Sequence, residues 1–395
     1  VFGESNLLGM ISVVNNLKGR SDDEFFATAN EFMVVYARNA SKAIIGGFPG
    51  DETYRAEFKY SDEISNYKEV GLRKTGKGWR RSDRPNKFYP IYYTPASGEF
   101  SLQDAGGAIE ILPLDTNGNE GRWRWGRETF EQNKRTELVA KQVGSRWSIY
   151  VKMRDTVDGK PREVRPKTVW LDPRYDTGAG ARTIGDTLEH ASLFDNPKPL
   201  SLLRDIIAIA THKDSLVLDF FSGSGTTAHA VMQLNAEDGG TRRHIQVQLP
   251  EPTLEGSAAR ALGYKTIAAI ARARIDSAGT RLLEEAAQRL QDGAAVLDTG
   301  YRYFKLSDTA FSKWRVSSDV DARELQQHLL GLRDSANDHV DADALLTEIL
   351  LKQGYSLTES ISSANLANLD VRLVRDADDD TAVVAYLDEH AKPTL

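Results

Sequence analysis

The stretch from Leu216 to Ala230 constrains the fold more than any other part of the chain: it reads Leu-Val-Leu-Asp-Phe-Phe-Ser-Gly-Ser-Gly-Thr-Thr-Ala-His-Ala. Residues 216–221 predict a strand, and the residues after the glycines predict a helix. Gly223 and Gly225 allow backbone angles that a Cβ forbids, and they let the main chain touch a ligand. A strand, a glycine turn and a helix in this order form the unit with which Rossmann-like sheets hold a nucleotide-like cofactor.

The rest of residues 165–290 alternates between strand and helix patterns, which predicts an α/β fold with a parallel sheet. The predicted strands are 168–171, 216–221 and 244–249, and a further buried strand is predicted at 30–37. The predicted helices are 198–211, a helix from Thr226, and helices over about 257–290 with Arg272, Arg274 and Arg281 on exposed faces. Residues 175–195, rich in glycine, predict a loop.

Residues 40–165 have a different character, because they are rich in Gly, Pro, aromatic and charged residues. They predict an irregular, β-rich insertion with a β-like piece at 88–93, a helix over 127–142 and a strand at 147–152. Towards the end of the chain, we expect a helix around 342–353 and a β-like piece at 382–386.

The cofactor site is predicted around the glycine turn, which would lie beneath the ligand. Glu251, at the end of the next strand, can accept hydrogen bonds from both ribose hydroxyls. Asn196 and Lys198, in a loop stiffened by two prolines, would reach the ligand carboxylate. The Phe-Phe dipeptide together with Asn-Pro-Lys-Pro favours S-adenosylmethionine over a dinucleotide. The predicted cofactor-binding residues are Asn196, Lys198, Asp219, Phe220, Phe221, Gly223, Gly225, Thr226 and Glu251.

Each of these elements has an ordinary structural explanation when taken alone. A Gly-Ser-Gly turn is a weak signal, and residues 223–228 also fit the dinucleotide fingerprint, for which an acidic residue about 20 positions later is expected. A nicotinamide or flavin oxidoreductase therefore stays open as an alternative. The joint occurrence of the elements in this order favours the methyl donor.

The absence of cysteine excludes disulfides and thiolate metal sites and suits a reducing cytoplasm. No apolar run approaches the roughly 20 residues that a membrane-spanning helix needs, so we expect no membrane partner. The seven histidines show no metal-ligand spacing, and we expect no metal site. Neither a hydrolase elbow nor a phosphate-binding Walker loop is present.

Charge is unevenly distributed along the chain. The net charge of −7 argues weakly against nucleic-acid binding, but residues 68–87 carry eight Lys or Arg against two acidic residues. Phosphate binding is local, so the basic segment is more informative than the sum. Guanidinium groups beside planar rings suit phosphate contacts and base-edge readout. The predicted DNA-binding residues are Arg73, Lys74, Lys77, Arg80, Arg81, Arg84, Arg122, Arg124 and Arg127.

Several segments together resemble the modification (Mod) subunit of type III restriction–modification systems, an adenine-N6 DNA methyltransferase. The resemblance covers the whole chain and corresponds to the C-terminal portion of that family. The segments that carry it are Ala27–Arg38, Arg81–Ile91, Tyr175–Gly180, Phe194–Pro199, Asp219–Ala230, Tyr301–Leu306 and Leu345–Gly354.

The resemblance implies a domain organisation and a set of partners. Residues 1–40 would form part of the methyltransferase core, 41–165 the target-recognition domain, 166–290 the cofactor-binding half, and 291–395 an α+β association region. The implied partners are double-stranded DNA with the target adenine flipped out, a second Mod subunit, and a restriction (helicase–nuclease) subunit.

The catalytic motif of the family, Asp-Pro-Pro-Tyr, precedes the recognition region and is absent from this sequence. The stretch Asp172-Pro-Arg-Tyr175 follows that region instead, and its arginine replaces the second proline, so we expect no catalytic role for it. We therefore expect a truncated form that is inactive alone, while a longer parent would be active. A DNA-binding or assembly protein that has lost catalysis is the main alternative.

Overall fold

The computed structural model describes residues 2–19, 24–104, 106–289, 297–309, 323, 341–366, 368–375 and 381–387. The chain forms two compact units, residues 1–299 and 300–395. No helix among the described residues has both the length and the hydropathy needed to cross a membrane.

The first unit begins with an antiparallel pair, β1 (Leu7–Val14) and β2 (Asn30–Tyr36). The strand predicted at 30–37 is therefore confirmed. Val13 of β1 is buried in a core that also contains Leu202 and Ile209. On β2, Phe32 and Val34 are exposed. The side chains alternate between the faces, as they must in a strand, so one face packs and the other stays bare.

Residues 48–164 form a β-rich region. Its elements are β3 (Phe48–Pro49), α1 (Glu52–Arg55), β4 (Tyr60–Ser61), β5 (Asn66–Gly71), β6 (Ile91–Thr94), β7 (Glu99–Ser101), β8 (Ile109–Ile111), α2 (Arg127–Asn133), β9 (Leu138–Val143), β10 (Arg146–Arg154), β11 (Thr156–Val157), β12 (Lys160–Pro161) and β13 (Glu163–Val164). They form two larger antiparallel sheets, ordered β4–β5–β10–β9 and β7–β6–β8, and two antiparallel pairs, β11 with β12 and β13 with β3.

This region has a core of its own, in which residues from both sheets meet α2. The buried members are Leu72, Tyr89, Ile91, Phe100, Ile111, Trp123, Phe130, Leu138 and Ile149. The strand predicted at 147–152 lies within β10 and is confirmed. The helix predicted over 127–142 is wrong in its second half, since α2 ends at Asn133 and residues 138–143 form β9. Pairing with β10 across the turn at Gly144 favours the strand there.

The remainder of the first unit alternates between strands and helices. Its elements are β14 (Val169–Leu171), α3 (Thr177–Leu188), α4 (Leu200–Ala210), β15 (Leu216–Asp219), α5 (Thr226–Asp238), β16 (Arg243–Gln246), α6 (Ala258–Ala261) and α7 (Ile267–Arg289). The strands β14, β15 and β16 and the helices α4, α5 and α7 lie within or close to their predicted ranges, and these elements are confirmed.

Two parallel strand pairs support a mixed α/β fold: β14 with β1, and β15 with β16. In the described residues these pairs belong to separate sheets, so the continuous Rossmann-like sheet stays a prediction. Helices α4 and α5 cover one face of β15, where Ile207 and Val231 pack with Val217. The other face exposes Leu216 and Leu218.

The prediction of a glycine-rich loop over 175–195 is wrong for residues 177–188, which form α3. Asp176 caps this helix, because its carboxylate accepts a hydrogen bond from the Gly178 backbone N–H at 2.9 Å. Gly180 has a packing role, since a Cβ there would lie 1.9 Å from the Pro197 carbonyl oxygen. Here glycine permits contact between a helix and a loop and does not break the helix.

The second unit contains α8 (Ala342–Lys352) and an antiparallel sheet of β17 (Ser360–Leu366), β18 (Leu369–Arg375) and β19 (Thr381–Tyr386). Leu346 and Leu350 of α8 pack against Val374. The predicted helix and terminal strand are confirmed. Much of the predicted association region 291–395 lies outside the described residues.

We predict that Gly180→Ala destabilises the first unit by about 1–3 kcal/mol, because the added methyl group must displace the backbone at Pro197. Urea denaturation followed by tryptophan fluorescence measures the loss. The matched control is Gly126→Ala, where no atom lies within 4 Å of the added Cβ. Equal midpoints for the two variants would show that α3 does not press on this loop.

Candidate functional site

The glycine turn after β15 is anchored to the segment that follows β16. The Ser222 N–H donates to the Val247 carbonyl at 3.1 Å, and the Gly223 N–H donates to Gln248 Oε1 at 2.7 Å. Gly223 has a φ of +51°, in the left-handed region that favours glycine. The turn is thus fixed in place by the neighbouring strand end.

Gly225 is required where the turn enters α5. Its φ is +76°, and a Cβ there would lie 3.2 Å from the Ala271 carbonyl oxygen and 3.3 Å from Ile275 Cγ1. Helix α7 therefore approaches the turn so closely that a side chain would push it away. The structure assigns this glycine a packing role in addition to the ligand approach expected from the sequence.

Asp219 holds the turn from the strand side. Its carboxylate accepts hydrogen bonds from the Phe221 backbone N–H at 3.2 Å and from Thr227 Oγ1 at 2.6 Å. Phe220 and Phe221 project outward, 62% and 80% exposed, with ring centroids 5.1 Å apart. These two rings form an exposed apolar surface beside the turn.

The Asn-Pro-Lys-Pro loop lies against the turn, since Thr226 Oγ1 donates to the Lys198 carbonyl at 3.5 Å. Asn196 is exposed and has a φ of +52°, which asparagine tolerates better than most residues. The Lys198 ammonium, however, pairs with Glu31 on β2 at 2.5 Å. The structure brings this loop to the site as predicted, but it directs the lysine charge to a protein carboxylate.

Glu251 lies five residues beyond β16 with its side chain exposed. Its main-chain carbonyl accepts a hydrogen bond from the Ile267 N–H at 2.9 Å, at the start of α7. Because Gln248 binds the turn directly, the segment that carries Glu251 runs past the site.

The prediction that Arg274 lies on an exposed face is wrong, because its side chain is 0% exposed. Its Nη1 donates to Ser224 Oγ at 2.9 Å and to Thr226 Oγ1 at 2.7 Å. Burial lowers the pKa of this guanidinium to about 10, so it stays protonated at neutral pH. Of the other two arginines, Arg281 is exposed and Arg272 is half-buried.

A signal for Arg274 was present in the sequence. Ile270, Ala271, Ile275 and Ala278 are buried residues of α7, and position 274 falls on the same stripe at helical spacing. The apolar periodicity therefore indicates burial, and only the charge of the side chain argues for exposure.

The stretch from Asp172 to Tyr175 is part of a structural network. The Tyr175 hydroxyl donates to Asp205 Oδ2 at 2.7 Å, and its ring is buried in the core beneath β1 and β14. Burial, followed by the bond to Asp205, raises the pKa of this phenol. Asp172 pairs with Arg174 at 2.7 Å. A buried ring cannot stack on a flipped base, which agrees with the expectation that this stretch has no catalytic role.

Six of the nine predicted DNA-binding residues are exposed: Lys77, Arg80, Arg81, Arg84, Arg124 and Arg127. Two of the nine support the fold, because Arg122 Nε donates to the Gly78 carbonyl at 2.6 Å and Arg124 Nε donates to the Gly71 carbonyl at 2.9 Å. Arg73 and Lys74 are half-buried, and the Arg127 guanidinium lies 4.7 Å from the centroid of the Tyr89 ring.

The basic residues from Lys77 to Lys87 lie close to aromatic rings and to one another. The Arg81 guanidinium lies 4.3 Å from the Phe88 ring centroid and pairs with Glu120 at 2.9 Å. Burial lowers the pKa of Lys87, and the nearby charges of Arg84 and Arg122 add to the shift. Cations that repel each other in this way are relieved by an external anion.

The chain is similar to known DNA methylases and to restriction–modification proteins. A family profile described as "DNA methylase" matches residues 1–264. The type III restriction-modification enzyme EcoPI Mod subunit of Escherichia phage P1 is 31% identical over 372 residues, which is 93% of this chain and 55% of that protein. The type II methyltransferase M.KpnI of Klebsiella pneumoniae is 33% identical over 277 residues, covering 70% and 64% of the two chains.

A third relative, the type III restriction-modification enzyme StyLTI Mod subunit of Salmonella typhimurium, is 28% identical over 318 residues, or 78% of this chain and 42% of its own length. The chain thus spans about half the length of these relatives. The strand, glycine turn and helix at 216–238 lie within the region that the profile matches. The chain belongs to the N6/N4 DNA methylase family, with Mod subunits of restriction–modification systems among its relatives.

Proposed function

We propose that this chain acts in an S-adenosylmethionine-dependent DNA methyltransferase that modifies adenine N6 as the modification subunit of a type III restriction–modification system. The observation that carries the proposal is the glycine turn at the start of α5, fixed between the 196–199 loop, the end of β16 and α7. The Mod subunits among the relatives supply the reaction class and the type of system.

The described residues fit the methyl donor. Helix α5 begins at Thr226, and its N-cap residue, Gly225, has no side chain to cap it, so the first N–H groups are directed at the turn, where a carboxylate is favoured. The exposed Phe220 and Phe221 offer an apolar surface to the adenine ring. Glu251 suits the ribose hydroxyls. S-adenosylmethionine supplies an electrophilic methyl group when it is bound.

Methyl transfer also demands activation of the acceptor. The adenine N6 lone pair is delocalised into the ring, so the amine needs a hydrogen-bond acceptor to become a nucleophile, and the base must leave the duplex. The sequence contains no Asp-Pro-Pro-Tyr, and Tyr175 is buried. We infer that residues 1–395 position the donor but do not activate the acceptor.

The partners follow from the same proposal. The EcoPI and StyLTI relatives are Mod subunits of type III restriction-modification enzymes. We propose double-stranded DNA, a second Mod subunit and a restriction subunit as partners here. The cytoplasmic location expected from the lack of cysteine stays a prediction, as do the domain boundaries and the association role of 291–395. The family match does not support the dinucleotide oxidoreductase.

We predict saturable binding of S-adenosylmethionine by the purified chain in calorimetric titration. Phe221→Ala should raise the dissociation constant about 5- to 150-fold, the equivalent of the roughly 1–3 kcal/mol that stacking on an aromatic ring contributes. The control is Phe26→Ala, which removes a phenylalanine of similar exposure, 88% against 80% for Phe221. Absence of binding would contradict the proposed cofactor, and equal affinities for the two variants would contradict the role of Phe221.

We predict that the triple change Arg80→Ala, Arg81→Ala, Arg84→Ala weakens duplex DNA binding and reduces the slope of log K against log salt by up to about 3, since each phosphate contact contributes about 0.9. Fluorescence anisotropy over a range of salt concentrations measures this slope. The control removes the same charge from exposed lysines elsewhere: Lys18→Ala, Lys42→Ala, Lys59→Ala. An equal change in both variants would mean that net charge, and not this surface, sets the slope.

We predict no methyl incorporation when the purified chain is incubated with labelled S-adenosylmethionine and unmethylated duplex DNA. The reason is that the sequence lacks the acceptor-activating motif. Incorporation above that of a heat-denatured sample would contradict this inference. DNA binding without cofactor binding would favour the alternative of a DNA-binding or assembly protein that has lost catalysis.

A further inference from the structure

The charge of Arg274 is not balanced by the protein groups that it contacts. Its Nη1 donates to two neutral hydroxyls, those of Ser224 and Thr226. Within the described part of the chain, Nε and Nη2 have no hydrogen-bond partner. A buried cation that is not paired with an anion is costly, so its retention at a fully buried position needs a reason.

The surroundings make this position less favourable for a cation. Ser224 and Thr226 lie at the start of α5, where the helix dipole contributes positive charge of its own. His229, one turn further into α5, is kept neutral, because burial, with Arg274 and Arg281 adding to it, lowers its pKa to about 3. The nearby carboxylate of Asp219 accepts from Thr227 and Phe221 instead.

The other cation expected at this site is already paired. Lys198 was the natural partner for a ligand carboxylate, but its ammonium contacts Glu31 at 2.5 Å. The backbone of Lys198 nevertheless joins the same cluster, through the hydrogen bond from Thr226 Oγ1 to its carbonyl. Arg274 of α7 thus contacts Thr226, the residue of the turn that also contacts the 196–199 loop.

We propose that Arg274 is a positioning residue that makes the turn at Ser224–Thr226 select a ligand with a carboxylate, namely the amino-acid end of S-adenosylmethionine. This inference rests on the proposed function. Arg274 is fully buried and so does not touch the ligand. It acts through the two hydroxyls, which it holds in place, and through its charge, which adds to that of the α5 N-terminus across a medium of low dielectric.

The test compares two ligands that differ only in the carboxylate: S-adenosylmethionine and decarboxylated S-adenosylmethionine. Calorimetric titration of the wild-type chain should show a preference of about tenfold or more for the first ligand. In Arg274→Met, we expect this preference to fall several-fold, because only the α5 N-terminus then favours the carboxylate, while affinity for the decarboxylated ligand changes little. Arg274→Lys keeps the charge and should keep most of the preference.

A purely structural role for Arg274 predicts a different result. Affinity for both ligands would then fall by the same factor in Arg274→Met, and the preference would be unchanged, which would overturn the proposal. Thermal denaturation shows whether each variant is folded. If Arg274→Met does not fold, Thr226→Val replaces it, because valine keeps the shape of threonine but removes a hydroxyl that Arg274 contacts. An unchanged preference in that variant also overturns the proposal.

Titration of the wild-type chain with both ligands distinguishes a failure of this inference from a failure of the proposed function. If it binds neither ligand, the proposed cofactor is wrong and the role of Arg274 is overturned with it. If it binds both equally well, the cofactor site stands, and only the role of Arg274 is overturned.

Discussion

The candidate site depends on the close packing of α7 against the glycine turn. Gly225 lies so near to the Ala271 carbonyl oxygen that the turn, the start of α5 and the first turns of α7 meet in one close contact. Arg274 lies in the same contact and bonds to the residues on either side of that glycine. On the opposite side, Thr226 reaches the loop that Gly180 of α3 supports. The packing of α7 against the glycine turn therefore fixes the start of α5 and, through Thr226, the 196–199 loop.

The sequence was sufficient to predict the elements whose local signals agree with their packing. The run of apolar residues before Gly223 predicted β15 and the helix after it, because a strand end, left-handed glycines and a helix start coincide there. The sequence did not predict α3, because Gly180 and Gly185 are typical of loops when only the local sequence is considered. These two glycines allow close contact with Pro197 and Ala191, which follow the helix in the chain.

The burial of charged residues was harder to predict, because it also depends on contacts with other segments. The exposed position of Arg80 and the buried position of Arg274 cannot be distinguished by residue type, and periodicity is available only for the residue in the helix. In the β-rich region, Arg122 and Arg124 satisfy backbone carbonyls of neighbouring segments. A basic cluster in the sequence therefore combines residues that build the surface with residues that are free to contact a phosphate.

The bare faces of β2 and β15 carry large apolar side chains, among them Phe32, Val34 and Leu218. Apolar contacts grow stronger in solutions of sulfate or phosphate salts, whereas contacts between exposed cations and phosphates weaken as ions screen them. Sulfate and phosphate salts will thus act on this molecule in two opposite directions. The nucleic-acid contact that we propose for residues 77–84 would be weakened by the same salts that strengthen apolar contacts at the uncovered strands.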